Sequence, residues 1–331
     1  MKATARAHPI QGLVKYHGMR DFDLRHPYHD SISVCTAPSN TTTTVAWKPD
    51  GEDDTVVIDG ETVTGRGAER VSHLADHVRE LAGFDHALRL ESENSFPSNV
   101  GFGSSSSGFA AAATAMVEAA GLDMTRPEIS AVARRGSSSA ARAVTGAFSD
   151  LHAGLNDEDC RSERIDVGVG DDGFDPEADL RIVTALVPNY KETEAAHEEA
   201  ADSHMFEARR AFVQDQLVEM RDALRAGDFE RIFETAEHDS LSLTATTMTG
   251  PAGWVYWQPE TIAVFNEVRR LREEEELPVY FSTDTGASVY VNTTAEHADA
   301  VEAAISAVGV ETNVWEVGGP ARVLDEREAL F

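Results

Sequence analysis

Lysine and cysteine are nearly missing from this chain of 331 residues. Lysine occurs only at Lys2, Lys15, Lys48 and Lys191, and cysteine only at Cys35 and Cys160. Two cysteines make neither a disulfide framework nor a metal cluster, so a reduced compartment is the simplest expectation. No apolar run approaches the roughly 20 residues that cross a bilayer. Met1 to Pro9 lacks the apolar core of a signal peptide, and a soluble cytoplasmic protein is expected. Positive charge is scarce, with 28 basic against 58 acidic residues and a net charge of −30. Such a surface repels nucleic acid and anionic membranes, and neither is an expected partner. Acidity with so few lysines fits adaptation to molar cytoplasmic salt. The lysines that survive are candidates for function.

What is present is one unusual run, Ser95 to Gly108, with glycines at 101, 103 and 108 and four serines from Ser104 to Ser107. An alanine-rich helix signal, Phe109 to Ala120, follows it. Backbone N–H groups at a helix start, with the positive end of the dipole behind them, bind anions. Serine oxygens there can hold phosphate or Mg²⁺. The pattern is not G-x-x-x-x-G-K-[ST], because no lysine follows the glycines.

Alternation at Ser31–Cys35, Thr41–Trp47, Val56–Ile58 and His86–Glu93 predicts strands, and Ala68–Leu81 predicts a helix. Thr125-Arg126-Pro127-Glu128 reads as a capping box opening a helix that Arg135-Gly136 ends. Gly168 to Asp179 is the expected lobe boundary. Beyond it the pattern predicts a strand over Leu180–Val187 and helices over about 195–226, 229–237 and 259–276. A β-hairpin is expected from Val279–Ser282 and Ala287–Val291, with Asp284 and Gly286 at its tip. Strands and helices without regular βαβ spacing argue for an α+β protein of two lobes.

Four segments can be assembled into one site: Lys15 to Asp21, read as preceding the first strands; the serine run; Arg134 to Arg142; and Asp284. In order and spacing they resemble the mevalonate diphosphate decarboxylases of the GHMP kinase superfamily. The resembling residues are Lys15-Tyr16-x-Gly18-x-Arg20-Asp21, Asp30 to Val34, Ser92-Glu93-Asn94-x-Phe96-Pro97, Gly101-x-x-Ser104-Ser105, Gly136-Ser137-x-Ser139-Ala140-x-Arg142, and Asp284-x-Gly286. The resemblance implies a ribosomal-protein-S5-domain-2-like N-terminal lobe, residues 1–175, and a ferredoxin-like C-terminal lobe, residues 176–331. It implies ATP and Mg²⁺, an ATP-dependent decarboxylation in isoprenoid synthesis, and a homodimer. Asn94, Pro97, Gly101, Gly103, Ser104, Ser105 and Ser106 would contact ATP, with Ser105 also on the metal. Tyr16, Ser137, Ser139, Asp239 and Ser240 would contact substrate. Asp284 can take or orient the proton of an attacking hydroxyl. Arg142 can grip a carboxylate with its planar fork, and Lys15 can meet the transferring phosphoryl group.

The chain departs from the familiar Lys-Tyr-Trp-Gly-Lys pattern with His17 and Met19. Ile10 stands where the family has asparagine, and Lys191-Glu192-Thr193-Glu194 replaces a Ser-Ser-Arg segment. Losing partners for an anion costs on the order of a few kcal/mol, enough to shift substrate preference. The expected substrate is therefore mevalonate 5-phosphate, as in the decarboxylases of salt-adapted archaea, with the 5-diphosphate as the alternative. A small-molecule kinase of the same superfamily, or a non-catalytic ATP-binding regulator, are the competing classes. His8, His17, His26 and His29 follow no metal-ligand spacing.

Overall fold

The computed structural model describes residues 1–51, 53–96, 103–189 and 193–331. Pro97 and Gly101, and Lys191 and Glu192 of the substituted segment, lie outside the described residues.

Two sheets organise the chain. The first runs in the order Arg322–Val323, Lys2–Ala7, Thr41–Lys48, Ala87–Asn94, Thr55–Ile58, Glu61–Thr62. Only Thr55–Ile58 against Ala87–Asn94 is parallel among these pairs. Helices Arg66–Ala82, Ser104–Ala120 and Arg126–Gly136 join its core around Trp47, Leu74, Leu90 and Met116. Ala110, Ala111, Ala113 and Ala115 are fully buried, so small side chains bring the serine helix, Ser104–Ala120, close to the sheet. The Trp47 indole N–H donates to the Met116 carbonyl (3.1 Å) and locks that contact.

The second sheet is ordered Ser162–Arg164, Phe148–Leu151, Ser31–Ala37, Glu311–Val317, Leu180–Leu186, Val289–Thr294, Val279–Ser282, with Ile10–Val14 beside Ser31–Ala37. It draws strands from both sides of position 175, joined where Glu316 and Val317 pair with Ala37 and Thr36. Helices Phe206–Ala226 and Phe229–Met248 bury Val213, Leu217, Phe229 and Phe233 in one core on it. Helices Pro259–Glu274 and Ala298–Ala307 bury Val264, Phe265, Val301 and Ile305 in another.

Several expectations are corrected. Two strands, Lys2–Ala7 and Ile10–Val14, precede Lys15, and the alanines of the first concealed it. The serine helix starts at Ser104 rather than Phe109, because first-turn hydroxyls find local acceptors: Ser106 Oγ donates to the Gly103 carbonyl (2.6 Å). The helix expected over 195–226 is broken after Glu198. Ser203 is extended and its Oγ accepts from the Met205 N–H (3.2 Å), and a new helix starts at Phe206, buried against Tyr28. The helix expected to end at Glu237 runs to Met248, because Asp239, Ser240, Thr246 and Thr247 point polar groups inward and erase the amphipathic signal.

Gly146 has φ +77° and ψ 174°, a backbone region that essentially only glycine occupies, and an added Cβ would strike the backbone of Pro320. Gly146→Ala is expected to cost about 3 kcal/mol or more, read as a lowered denaturation midpoint with an unchanged slope.

Candidate active site

A cavity of about 300 Å³ lies where two helix N-termini converge. Gly103 caps the serine helix in the left-handed conformation (φ +76°) with no side-chain cap bond. Ser137 caps Ser138–Thr145, likewise without one. Both helices therefore present open N–H groups and positive dipole ends to one space. Among the described residues the lining includes Lys15, Arg25, Arg70 and Arg142 but only one acid, Asp284. In a chain of net charge −30 that is a local reversal of sign, and it selects anionic ligands.

The structure brings together most of the residues singled out above. Tyr16, Gly103, Ser104, Ser105, Ser106, Ser137, Ser139, Arg142, Lys15 and Asp284 all line this cavity. Ser137 Oγ and Ser139 Oγ are 2.9 Å apart. Ser106 is engaged in the loop itself, accepting from the Ile10 N–H (3.3 Å), which leaves the more accessible Ser104 and Ser105 better placed for a ligand. Asp239 and Ser240 are fully buried and do not line the cavity; they stand behind Lys15. Asn94 is not brought to it: its amide donates to Asp59 (3.0 Å) and its oxygen accepts from Thr41 (2.7 Å).

Asp284 is fixed through both carboxylate oxygens. The Gly12 N–H donates to Oδ1 (3.2 Å) and the Tyr290 hydroxyl donates to Oδ2 (3.4 Å). A Cβ at position 12 would lie 2.9 Å from that Oδ1 and 2.6 Å from Lys15 Cγ, so the glycine permits the approach. Burial, then the Asp284 charge, pushes the Tyr290 hydroxyl well above its ordinary pKa and keeps it a donor.

Lys15 Nζ donates to Asp239 Oδ2 (3.1 Å) and Ser240 Oγ (3.0 Å). Arg209 donates to Asp239 Oδ1 (3.0 Å) and to the Lys15 carbonyl (2.7 Å). Burial lowers the Lys15 pKa, and Asp239 and Asp284 restore it only in part. Burial raises the Asp239 carboxyl, but Arg209 and Lys15 outweigh it and hold it below the usual range.

Arg142 is buried, and among the described residues its Nε and Nη1 have no hydrogen-bond partner. Its guanidinium stands 5.5 Å from the Tyr16 ring centroid, and Tyr16 stacks on His197 at 5.0 Å. Burial lowers the Arg142 pKa, opposed by Tyr16 and Asp284. A buried cation with two unused donors is expensive unless an anion completes it.

Sequence reasoning missed Arg25, Arg70, Arg209 and His197. The scarcity of lysine hid them, since it drew attention away from the arginines that carry the charge. Gly12 carried a signal, as a glycine three residues before Lys15. Outside the cavity, Asp30, Asp150 and His152 form the one grouping with metal-ligand geometry among the described residues. Arg221 already bridges it, donating to Asp150 (2.6 Å) and Asp30 (2.8 Å).

The mixed helix-and-sheet fold is of the GHMP kinase type, and it holds a cationic cavity at two helix N-termini beside a held carboxylate. The family model for the diphosphomevalonate decarboxylase-like N-terminal domain matches residues 7–162. The chain is 72% identical to the phosphomevalonate decarboxylase of Haloferax volcanii over 331 residues, all of both chains. It is 29% identical to the diphosphomevalonate decarboxylase of Saccharomyces cerevisiae over 249 residues, 71% of this chain and 63% of that one. The crystal structure of mevalonate diphosphate decarboxylase from Staphylococcus aureus superposes with a TM-score of 0.91 at 26% identity, covering 98% of each chain. The chain belongs to the phosphomevalonate and diphosphomevalonate decarboxylase family.

His29 is buried behind this site, its Nδ1 2.7 Å from the Asp30 carbonyl. Burial, reinforced by Arg209, holds its pKa down to about 4. The unfolded chain binds the proton more readily, so its contribution is complete above about pH 6.5 and is lost as pH falls toward 4. Unfolding free energy is expected to drop by about 1 kcal/mol per pH unit in that window. His29→Gln should flatten that slope in denaturant titrations at pH 7, 6 and 5.

Proposed function

We propose that this chain catalyses the ATP-dependent decarboxylation of mevalonate 5-phosphate to isopentenyl phosphate, ADP, phosphate and CO₂. The observation that carries the reading is the buried Arg142 guanidinium, whose Nε and Nη1 have no hydrogen-bond partner among the described residues, on a residue that lines the cavity with Asp284. A kinase of the same superfamily needs the carboxylate and the serine helix but would not need Arg142 next to Ser137 and Ser139. The 72% identical relative is named a phosphomevalonate decarboxylase, which supports the monophosphate. Met19, buried in the cavity wall where a lysine is expected for a diphosphate, supports it from the chain itself.

The residues suit the chemistry. Asp284, its oxygens oriented by Gly12 and Tyr290, receives the proton of the substrate's tertiary hydroxyl. ATP with Mg²⁺ supplies the phosphoryl group that turns that hydroxyl into a leaving group. The donor set fits such a ligand: open helix N–H groups with Ser104 and Ser105 for the phosphates, and the Ser105 hydroxyl for the metal. Among solved relatives, a complex of the protein designated MDDEF with MVAPP, AMPPCP and magnesium has a TM-score of 0.90 at 26% identity, covering 98% of this chain and 99% of that one. Lys15 meets the developing negative charge. Arg142 holds the carboxylate in line as phosphate departs. The carbon–carbon bond to the carboxylate then breaks, its electron pair becomes the new double bond, and CO₂ leaves. Ser137, Ser139 and Tyr16 bind the 5-phosphate end. Asp239 and Ser240 act through Lys15, as positioning residues.

The proposal includes lobes of residues 1–175 and 176–331, a cytoplasmic location, a homodimer and adaptation to high salt. No helix among the described residues is long and apolar enough to cross a membrane. The 5-diphosphate is the second reading, supported by the names of the more distant relatives.

Incubation with ATP and Mg²⁺ in molar KCl, with each ester offered separately, tests the assignment. ADP and isopentenyl phosphate from the monophosphate are expected. Turnover of the diphosphate alone would overturn the choice of substrate, and turnover of neither would overturn the activity. Asp284→Asn is expected to lower kcat by about 10²–10⁴ with little change in the substrate KM.

A further inference from the structure

We propose that His197 positions Arg142 for a carboxylate by stacking on Tyr16, an inference that rests on the decarboxylase reading above. The buried Arg142 guanidinium has to be aimed. Among the described residues its Nε and Nη1 have no hydrogen-bond partner, so those two donors do not fix its plane. The Tyr16 ring does reach it, with a centroid 5.5 Å from the guanidinium carbon. An aromatic face within about 6 Å attracts a cation, most strongly where water is excluded. Burial raises the Tyr16 pKa, with Arg142 the largest opposing influence, so the ring stays neutral.

Tyr16 can orient Arg142 only if its own ring is held, and His197 holds it. The two rings are near-parallel, with planes 14° apart and centroids 5.0 Å apart. His197 is buried and lines the same cavity as Tyr16 and Arg142. Its Nδ1 accepts from the Gly18 N–H (3.3 Å), which ties the ring to the turn that carries Tyr16. That bond leaves the proton of the neutral ring on Nε2. His17, in the same turn, meets His197 edge-to-face (5.6 Å, 62°). Gly18 lets the turn come this close. Its φ is +78°, and a Cβ there would lie 3.2 Å from Ala200 Cβ and 3.3 Å from the Phe206 ring. A chain of ring contacts therefore runs from His197 through Tyr16 to Arg142. It joins helix Thr193–Glu198, the turn after Ile10–Val14 and helix Ser138–Thr145.

Two substitutions separate the stack from the hydrogen bond. His197→Phe keeps a flat face and loses the acceptor for Gly18, whereas His197→Asn keeps an acceptor and loses the face. Each variant and wild type is titrated by calorimetry with mevalonate 5-phosphate, with its analogue whose carboxylate is reduced to an alcohol, and with ATP. His197→Phe is expected to keep the wild-type preference for the carboxylate over the alcohol within about twofold. His197→Asn is expected to lower that preference about fivefold, with ATP affinity within about twofold of wild type. Loss of the preference in His197→Phe, an unchanged preference in His197→Asn, or an equal loss of ATP affinity in His197→Asn would each overturn the role of His197. Absence of the preference in wild type would instead overturn the carboxylate role of Arg142, and the same titrations report it.

Discussion

The buried carboxylate of Asp239 is the constraint on which the site depends. Removing a charge from water costs several kcal/mol, and only good geometry repays it. Here one oxygen accepts from the Lys15 backbone N–H and from Nζ, and the other from Arg209. Three elements meet on that side chain: the turn after strand Ile10–Val14, helix Phe206–Ala226 and helix Phe229–Met248. The next residue extends the link, because Ser240 Oγ accepts from the Thr283 N–H, one residue before Asp284. The cation and the acid proposed for the chemistry are thus positioned from the same two residues of one helix.

A second constraint is electrostatic. The chain as a whole repels anions, yet its cavity gathers helix N-termini and four basic side chains around one carboxylate. Among the described residues Arg142 has no salt-bridged carboxylate, whereas Lys15 and Arg209 share Asp239. That division separates cations compensated by the fold from one with unused donors. High salt screens the repulsive surface more than the buried pairs, so added salt eases the approach of anionic ligands to the cavity.

Much of this was legible in the sequence for local reasons. The Thr125 capping box and the hairpin acid depend on chemistry within a few residues, and each is found where its pattern places it, while the helix after the serine run starts five residues early. Lys15 was legible because lysine is so rare. Arg209 was not, since within its helix it looks like any solvated arginine, and only packing against Asp239 buries it. Arg25 was hidden in the same way, as the Leu24 and Arg25 carbonyls are held by Arg134 and Ser138, both more than a hundred residues away. Asn94, expected at ATP, is engaged by Asp59 in the turn after Thr55–Ile58 and by Thr41 on the neighbouring strand, contacts that no local pattern announces.

The central claim is that Arg142 receives the carboxylate that is lost as CO₂. Calorimetric titration of mevalonate 5-phosphate and of its analogue with the carboxylate reduced to an alcohol, against wild type and Arg142→Gln, measures it directly. Wild type should bind the carboxylate about tenfold or more tightly than the alcohol, and Arg142→Gln should bind the two alike. A preference of equal size in both proteins would mean that another group meets the carboxylate and would contradict the account.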